Sequence, residues 1–240
     1  INQKWEDLPN PSSFAGGDLK GIIEKLDYIK SLGVKALYLT PIFKSPTNHK
    51  YDIMDYFEID PQFGDKKDFK NLVEKAHEME IRIVLDAVFN HMSHKNPIFM
   101  DVREKGKNSK YYDWFFVEGA EVDIERINYE TFAHVYNMPK LNTSNKNVRE
   151  YLIKIGKYWI EEFDIDGWRL DVSDEVSHDF WKRFRKEIKA SKKDAVIIGE
   201  NWHNAESFLR GDEFDSVMNY AFTNTALDYF KEEIDAEKAS

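Results

Sequence analysis

The sequence predicts an α/β protein, a (β/α)8 TIM barrel present in part, on three observations. Segments of helical periodicity alternate with short apolar strands, an order that builds a parallel sheet. The strands end at their C-terminal tips in polar or acidic residues, the rim from which a barrel draws its reactive groups. No glycine-rich phosphate loop follows any strand, which weighs against a doubly wound open sheet. About five to six strands are legible where closure takes about eight, so an incomplete barrel is expected.

The first helix is expected from Asp18 to Gly33, because Ile22, Leu26, Ile29 and Leu32 recur at helical spacing and a glycine commonly follows a helix end. "VKALYLTPIF" (34–43) then reads as a strand. A second helix over 66–80 leads into "IRIVLDAVFNH", whose apolar half is 81–85 and whose polar tip begins at Asp86. A third helix, 147–163, feeds "FDIDGWRLDVSDEV" (163–176), and a fourth, 177–190, feeds "AVIIGE", which ends in Glu200. "FDSVMNY" (214–220) is a last strand before a helical, charged C-terminus. The connection from His91 to Asn145 is far longer than an ordinary loop. The expected division is therefore barrel over 1–91, an inserted subdomain over 92–145 after the third barrel strand, and barrel again over 146–240.

Composition excludes several classes. With 42% hydrophobic and 15% aromatic residues, 240 residues can bury a substantial core. A net charge of −10 and the lack of a basic run weigh against nucleic acid as a partner. The absence of cysteine removes disulfide and thiol chemistry and suits a reducing, cytoplasmic setting. Nothing reads as a signal peptide or as an apolar stretch of membrane length, so no membrane is expected, although the chain begins at Ile1 rather than at a methionine.

The reactive chemistry is sought at the strand tips, which would collect Asp86, Asn90, His91, Arg169, Asp171 and Glu200. Alternation in a strand puts Trp168, Leu170 and Val172 on one side and Arg169 with Asp171 on the other. Burying that charge requires pairing, so a structural ion pair is one reading. The other is catalysis by two carboxylates, one ionised and one holding a proton, the equipment for cleaving a glycosidic bond. Arg169 beside Asp171 favours its charged form, whereas Glu200 follows an apolar run that favours protonation. That asymmetry assigns Asp171 as nucleophile and Glu200 as acid and then base. A metal-dependent hydrolase on His49, Asp86, His91, Asp171 and Glu200 competes. It lacks a compact His-x-His or Glu-x-x-His pair, and Arg169 would repel the cation, so no metal ligand is assigned.

"DAVFNH" (86–91), "GWRLDV" (167–172) and "GENW" (199–202) resemble, in order, three of the four short signature regions of the alpha-amylase family of glycoside hydrolases. "HKYDIMDYFEIDPQFG" (49–64), "MPKLN" (138–142) and "WHNAESFLRGDEFDSVMNY" (202–220) resemble its branch of neopullulanase, cyclomaltodextrinase and maltogenic amylase. The resemblance implies a retaining hydrolase of alpha-1,4 and also alpha-1,6 glucosidic bonds in starch-derived oligosaccharides, cyclodextrins or pullulan, through a covalent glucosyl-enzyme. It implies Asp171 as nucleophile, Glu200 as general acid/base and Arg169 as the residue orienting Asp171. His91 would hydrogen-bond the sugar at the cleavage subsite and Tyr51 would stack on it. Trp202 and His203 would lie toward the leaving group, with Asp86 and Asn90 bracing the site.

No cofactor is required by this chemistry, and a structural calcium is compatible with the family, though no loop has EF-hand spacing. The partner is an alpha-glucan oligosaccharide, and a full-length parent is expected to be a homodimer, as relatives of this branch often are. Family members use a third carboxylate in an "NHD"-like motif that does not occur before Ser240, and the resemblance places a first strand before Ile1 and the last strands after Ser240. The alternative function is therefore a non-catalytic glucan-binding or protein-interacting barrel fragment. The run "YYDWFF" (111–116) serves as the core of the insertion, the favoured reading, or as a sugar-stacking surface.

Overall fold

The computed structural model describes residues 13, 14 and 16–231. In chain order, α1 (Leu19–Ser31) leads to β1 (Ala36–Leu39), and a hairpin of β2 (Phe43–Lys44) and β3 (Asp55–Ile59) follows. Next come α2 (Lys66–Glu78), β4 (Arg82–Ala87) and α3 (Pro97–Lys105). After a long irregular stretch, α4 (Lys146–Phe163), β5 (Gly167–Leu170), α5 (His178–Ser191), β6 (Val196–Asn201), β7 (Ser216–Asn219) and α6 (Tyr220–Phe230) complete the described chain. Five strands form one parallel sheet in the order β1-β4-β5-β6-β7, curled into about half of a barrel wall. No helix among the described residues is long and apolar enough to cross a membrane.

The helices begin where side chains can satisfy their first amides. Asp18 accepts the Gly21 N–H at 2.7 Å, Asp65 and Asp68 form a reciprocal capping box on α2, and Ser177 caps α5. α4 ends at Asp164 in the left-handed region, φ 57°, which frees the chain to enter β5. The predicted helices and strands lie within a few residues of these bounds. "VKALYLTPIF" is shorter than expected: the strand stops at Leu39, ahead of Pro41, and Phe43–Lys44 pairs antiparallel with β3 instead. Proline cannot donate to a ladder, so the break falls next to it. Neither the hairpin nor α3 was expected, although Asn96 followed by Pro97 is a helix start signal. Part of the charged C-terminal stretch, 232–240, lies outside the described residues.

Between the sheet and its helices sits an aromatic core of Phe43, Phe69, Phe89, Trp159, Trp168, Phe180, Trp181 and Phe184. The indoles are buried with their donors used: Trp159 Nε1 reaches the Tyr56 carbonyl at 2.8 Å, Trp168 the Gly156 carbonyl at 3.2 Å and Trp181 the Ser173 carbonyl at 2.8 Å. Trp168 and Leu170 thus face the helices, leaving Arg169 for the interior. Val172 does not continue their face. Its φ of 46° and ψ of 46° turn the chain out of the strand immediately after Asp171.

The long connection leaves the sheet after β4, the second of the five strands of the parallel sheet. It is held by isolated bridges, among them His91 with Lys140 and Phe115 with Leu141. Within "YYDWFF", Trp114 and Phe115 are buried and belong to the core, whereas Phe116 faces outward.

Candidate active site

The strand register brings three carboxylates to one arginine. Asp86 on β4 is paired with Arg169 on β5 across the sheet, and Glu200 extends from β6 one turn of the pleat beyond Ile198, the partner of Arg169. Asp171 follows β5 and keeps to the ladder by donating its N–H to the Ala87 carbonyl at 3.0 Å. One guanidinium nitrogen, Arg169 Nη1, donates to Asp171 Oδ1 at 2.7 Å and to Asp86 Oδ2 at 3.0 Å. The other, Nη2, meets Glu200 Oε1 at 2.6 Å. Asp171 and Glu200 therefore lie within the span of a single guanidinium and its two ion pairs, and all four side chains are buried.

Asp86 and Glu200 have further neutral donors. Tyr38 and Tyr51 hydroxyls both donate to Asp86 Oδ2, the latter at 3.2 Å. Glu200 Oε2 accepts the Val172 N–H at 2.9 Å, so the left-handed turn after Asp171 has a use: it points that amide at the neighbouring carboxylate. The Tyr220 hydroxyl donates to Glu200 Oε1 at 3.2 Å. Ser173 Oγ donates to the Glu200 carbonyl at 2.8 Å, fixing the end of β6.

The electrostatics differ from the reading based on neighbours in sequence. Arg169 is not private to Asp171. Burial, then the negative charge of Asp86, pushes Asp171 up to about 8, and Arg169 offsets this only in part. Burial likewise raises Asp86 to about 6 against the pull of Arg169. Burial works against charge on Arg169 as well, but Asp86 and Asp171 outweigh it and hold the guanidinium above its ordinary value. The expected effect of Arg169, an Asp171 held below its ordinary value, is absent from the resting site, because burial outweighs the cation. Three buried carboxylates share one cation, and around neutral pH the cluster keeps a proton.

His91 is fully buried, with Nε2 donating to the Tyr51 carbonyl at 3.1 Å and its ring stacked on Phe132 at 4.8 Å. Burial lowers it to about 3, so it is the neutral imidazole. Its Nε2 thereby braces Tyr51, and Phe132 of the insertion covers one face of its ring. Asn90 is buried too, its Nδ2 reaching Glu175 Oε2 at 3.3 Å, and Glu175 is paired with Lys140 of "MPKLN" at 2.9 Å. Asn90 Oδ1 is buried without a partner. Trp202 is 57% exposed and stacks on Tyr220 at 4.8 Å, and both line, with His203, a groove of about 860 Å³ beside Glu200. His49 accepts the Tyr51 N–H at 3.0 Å and touches none of the carboxylates.

Sequence reasoning missed Tyr38, Val172 and Tyr220. Alternation in "ALYL" could have found Tyr38, since Leu37 and Leu39 pack on the core and the residue between them must face the interior. Nothing local marks Val172, a β-branched residue in a conformation such residues avoid.

The family described as alpha amylase, catalytic domain, matches residues 2–240. A cyclomaltodextrinase of Geobacillus thermopakistaniensis (strain MAS1) is 54% identical over 94% of this chain and 38% of its own length. An intracellular maltogenic amylase of Bacillus subtilis (strain 168) is 52% identical, again over 94% of this chain and 38% of its own. The ligand-free structure of the cyclic alpha-maltosyl-(1→6)-maltose hydrolase from Arthrobacter globiformis superposes with a TM-score of 0.94 at 42% identity, covering 99% of this chain and 54% of that one. The chain thus spans well under half the length of the curated relatives it matches.

Proposed function

This chain belongs to the alpha-amylase family, and from that premise we propose that it carries the reaction centre of a retaining glycosidase. Its substrates would be alpha-1,4-linked glucans, with alpha-1,6 bonds also within reach: starch-derived oligosaccharides, cyclodextrins or pullulan. The observation that carries the proposal is the single guanidinium spanning Asp171 and Glu200. Direct attack by one carboxylate, with proton delivery by the other, needs the two carboxyl groups about 5 to 5.5 Å apart, and a shared Arg169 keeps them near one another.

In the proposed course, Asp171 attacks the anomeric carbon while Glu200 gives its proton to the departing oxygen, leaving a glucosyl ester on Asp171. Glu200 then takes a proton from water, which opens the ester and restores both groups. This requires one proton between the two carboxyls, located on Glu200 at the moment of attack. The burial that raises Asp171 supplies a retained proton, and a sugar arriving at the mouth needs only to shift it across the pair. Arg169 and Asp86 keep Asp171 in place, and the Tyr51 ring offers a face for the sugar. Trp202 and His203 line the leaving-group side.

The chemistry proceeds on protons and carboxylates and asks for no cofactor. A cytoplasmic location is proposed by analogy with the intracellular relative, and a homodimer for the whole protein on the family resemblance alone. A non-catalytic glucan-binding role is disfavoured by two carboxylates kept buried at one cation, an arrangement that binding does not need.

The test is the conversion of β-cyclodextrin and pullulan by the protein and its Glu200→Gln variant. Turnover should fall by at least about 10²-fold to 10⁴-fold in the variant, and the first-formed product of the unaltered protein, followed by proton NMR, should be the α-anomer. Undiminished turnover in the variant, or a β-anomer formed first, overturns the proposal.

A further inference from the structure

Lys50 is 2% exposed, and its ammonium is used in full although nothing in the proposed chemistry calls on it. Nζ lies 2.8 Å from Asp60 Oδ2 and 2.8 Å from Gln62 Oε1, with the Ser45 carbonyl at 3.5 Å. The Phe63 ring stands 5.6 Å from it. Asp60 follows β3 and is itself immobilised: Oδ2 accepts the Ser45 N–H at 3.1 Å, Oδ1 accepts the Gln62 N–H at 3.0 Å, and its own N–H reaches the Ile42 carbonyl at 2.8 Å. The lysine is thereby tied to the β2–β3 hairpin.

Its backbone is left-handed, φ 66°. If the turn alone mattered, glycine or asparagine would adopt it at less cost. A long charged side chain in that conformation, buried with a dedicated carboxylate, indicates that the anchor is what the position requires. The next residue shows why. Tyr51 makes two contacts that define the reaction centre: its hydroxyl donates to Asp86 Oδ2 at 3.2 Å and its carbonyl accepts from His91 Nε2 at 3.1 Å. The preceding residue, His49, accepts the Tyr51 N–H and stacks on its ring. Every one of these contacts depends on how residue 50 orients the chain.

We propose that Lys50 is a positioning residue: its ammonium, locked to Asp60 and Gln62, holds the 49–51 turn so that Tyr51 meets Asp86 with its hydroxyl and His91 with its carbonyl. Resting on the glycosidase reading, this makes Lys50 a determinant of turnover without contact to substrate. Loosening the turn withdraws Tyr51 from Asp86, and Asp86 is one of the carboxylates that set the Arg169 guanidinium between Asp171 and Glu200.

The test uses the protein labelled with 3-fluorotyrosine, the Tyr51 line among its twelve tyrosines being assigned by Tyr51→Phe. Lys50→Met is the first variant, and Lys50→Met with Asp60→Asn is the second, which leaves no buried charge unpaired and decides the matter if the first does not fold. The Tyr51 fluorine line should shift in each folded variant. With β-cyclodextrin, kcat/KM should fall by about 100-fold, as expected for a misplacement near 1 Å, mainly through kcat. Adding Tyr51→Phe to either variant should cost little more, because both changes release the same contact. An unmoved Tyr51 line, or losses that multiply, overturns the inference. If the line shifts but the unaltered protein does not turn over glucans, the positioning role stands and the glycosidase reading falls.

Discussion

Asp171→Asn should flatten the stability of this protein against pH in one defined window. Asp171 is raised from 3.8 to about 8 by burial and by Asp86. A carboxyl whose folded value exceeds its unfolded value binds more protons folded than unfolded, so its contribution is complete below pH 3.8 and is lost as pH climbs through about 8. The slope is about 1.4 kcal/mol per pH unit for one such group. Asp86, raised to about 6, adds a fall that ends near that pH. His91 has the opposite sign: lowered from 6.5 to about 3, it adds stability as pH rises to 6.5 and nothing above. Between pH 6.5 and 8 only Asp171 remains among these three, and the fall across that interval is about 2 kcal/mol. Urea unfolding at pH 6.5, 7.2 and 8, analysed with a common m-value, measures it. The wild-type midpoint should drop across the series while that of Asp171→Asn stays level. Parallel curves would refute the view that the desolvated carboxylate, rather than its pairing with Arg169, dominates the resting site.

Two other substitutions separate packing from function. Gly199→Ala places a Cβ 2.5 Å from the Phe214 ring, so the ring must move, and the protein should lose about 1–3 kcal/mol in thermal unfolding; an unchanged midpoint would mean that the 208–214 turn yields freely. Trp202→Ala removes an exposed ring stacked on Tyr220, so stability should stay within about 0.5 kcal/mol, while KM for β-cyclodextrin rises; an unaltered KM removes Trp202 from the substrate path.

The local elements were legible because their signals are local. Asp18, Asp65 and Ser177 announce helix starts, and the apolar runs 81–85 and 195–198 announce strands whose acidic tips face one rim. The hairpin of β2 and β3 was not legible, since its partners are joined by a ten-residue connection (45–54), longer than the two- to five-residue turns that announce a hairpin. The identities of Asp171, Glu200, Arg169 and Asp86 were readable from strand position and motif. Their electrostatics were not. An arginine two residues away in sequence looks like the property of one aspartate, yet the parallel register delivers carboxylates from two further strands to the same guanidinium.

By itself, then, the sequence determined which residues stand at the strand tips, because alternation and helical period are set within a few neighbours along the chain. Only the tertiary structure decided how the charge is shared among them, that His91 is covered by Phe132, and that Val172 turns its amide to Glu200. Those outcomes depend on desolvation and on distances between segments up to 83 residues apart, and neither quantity is written in any single stretch of the chain.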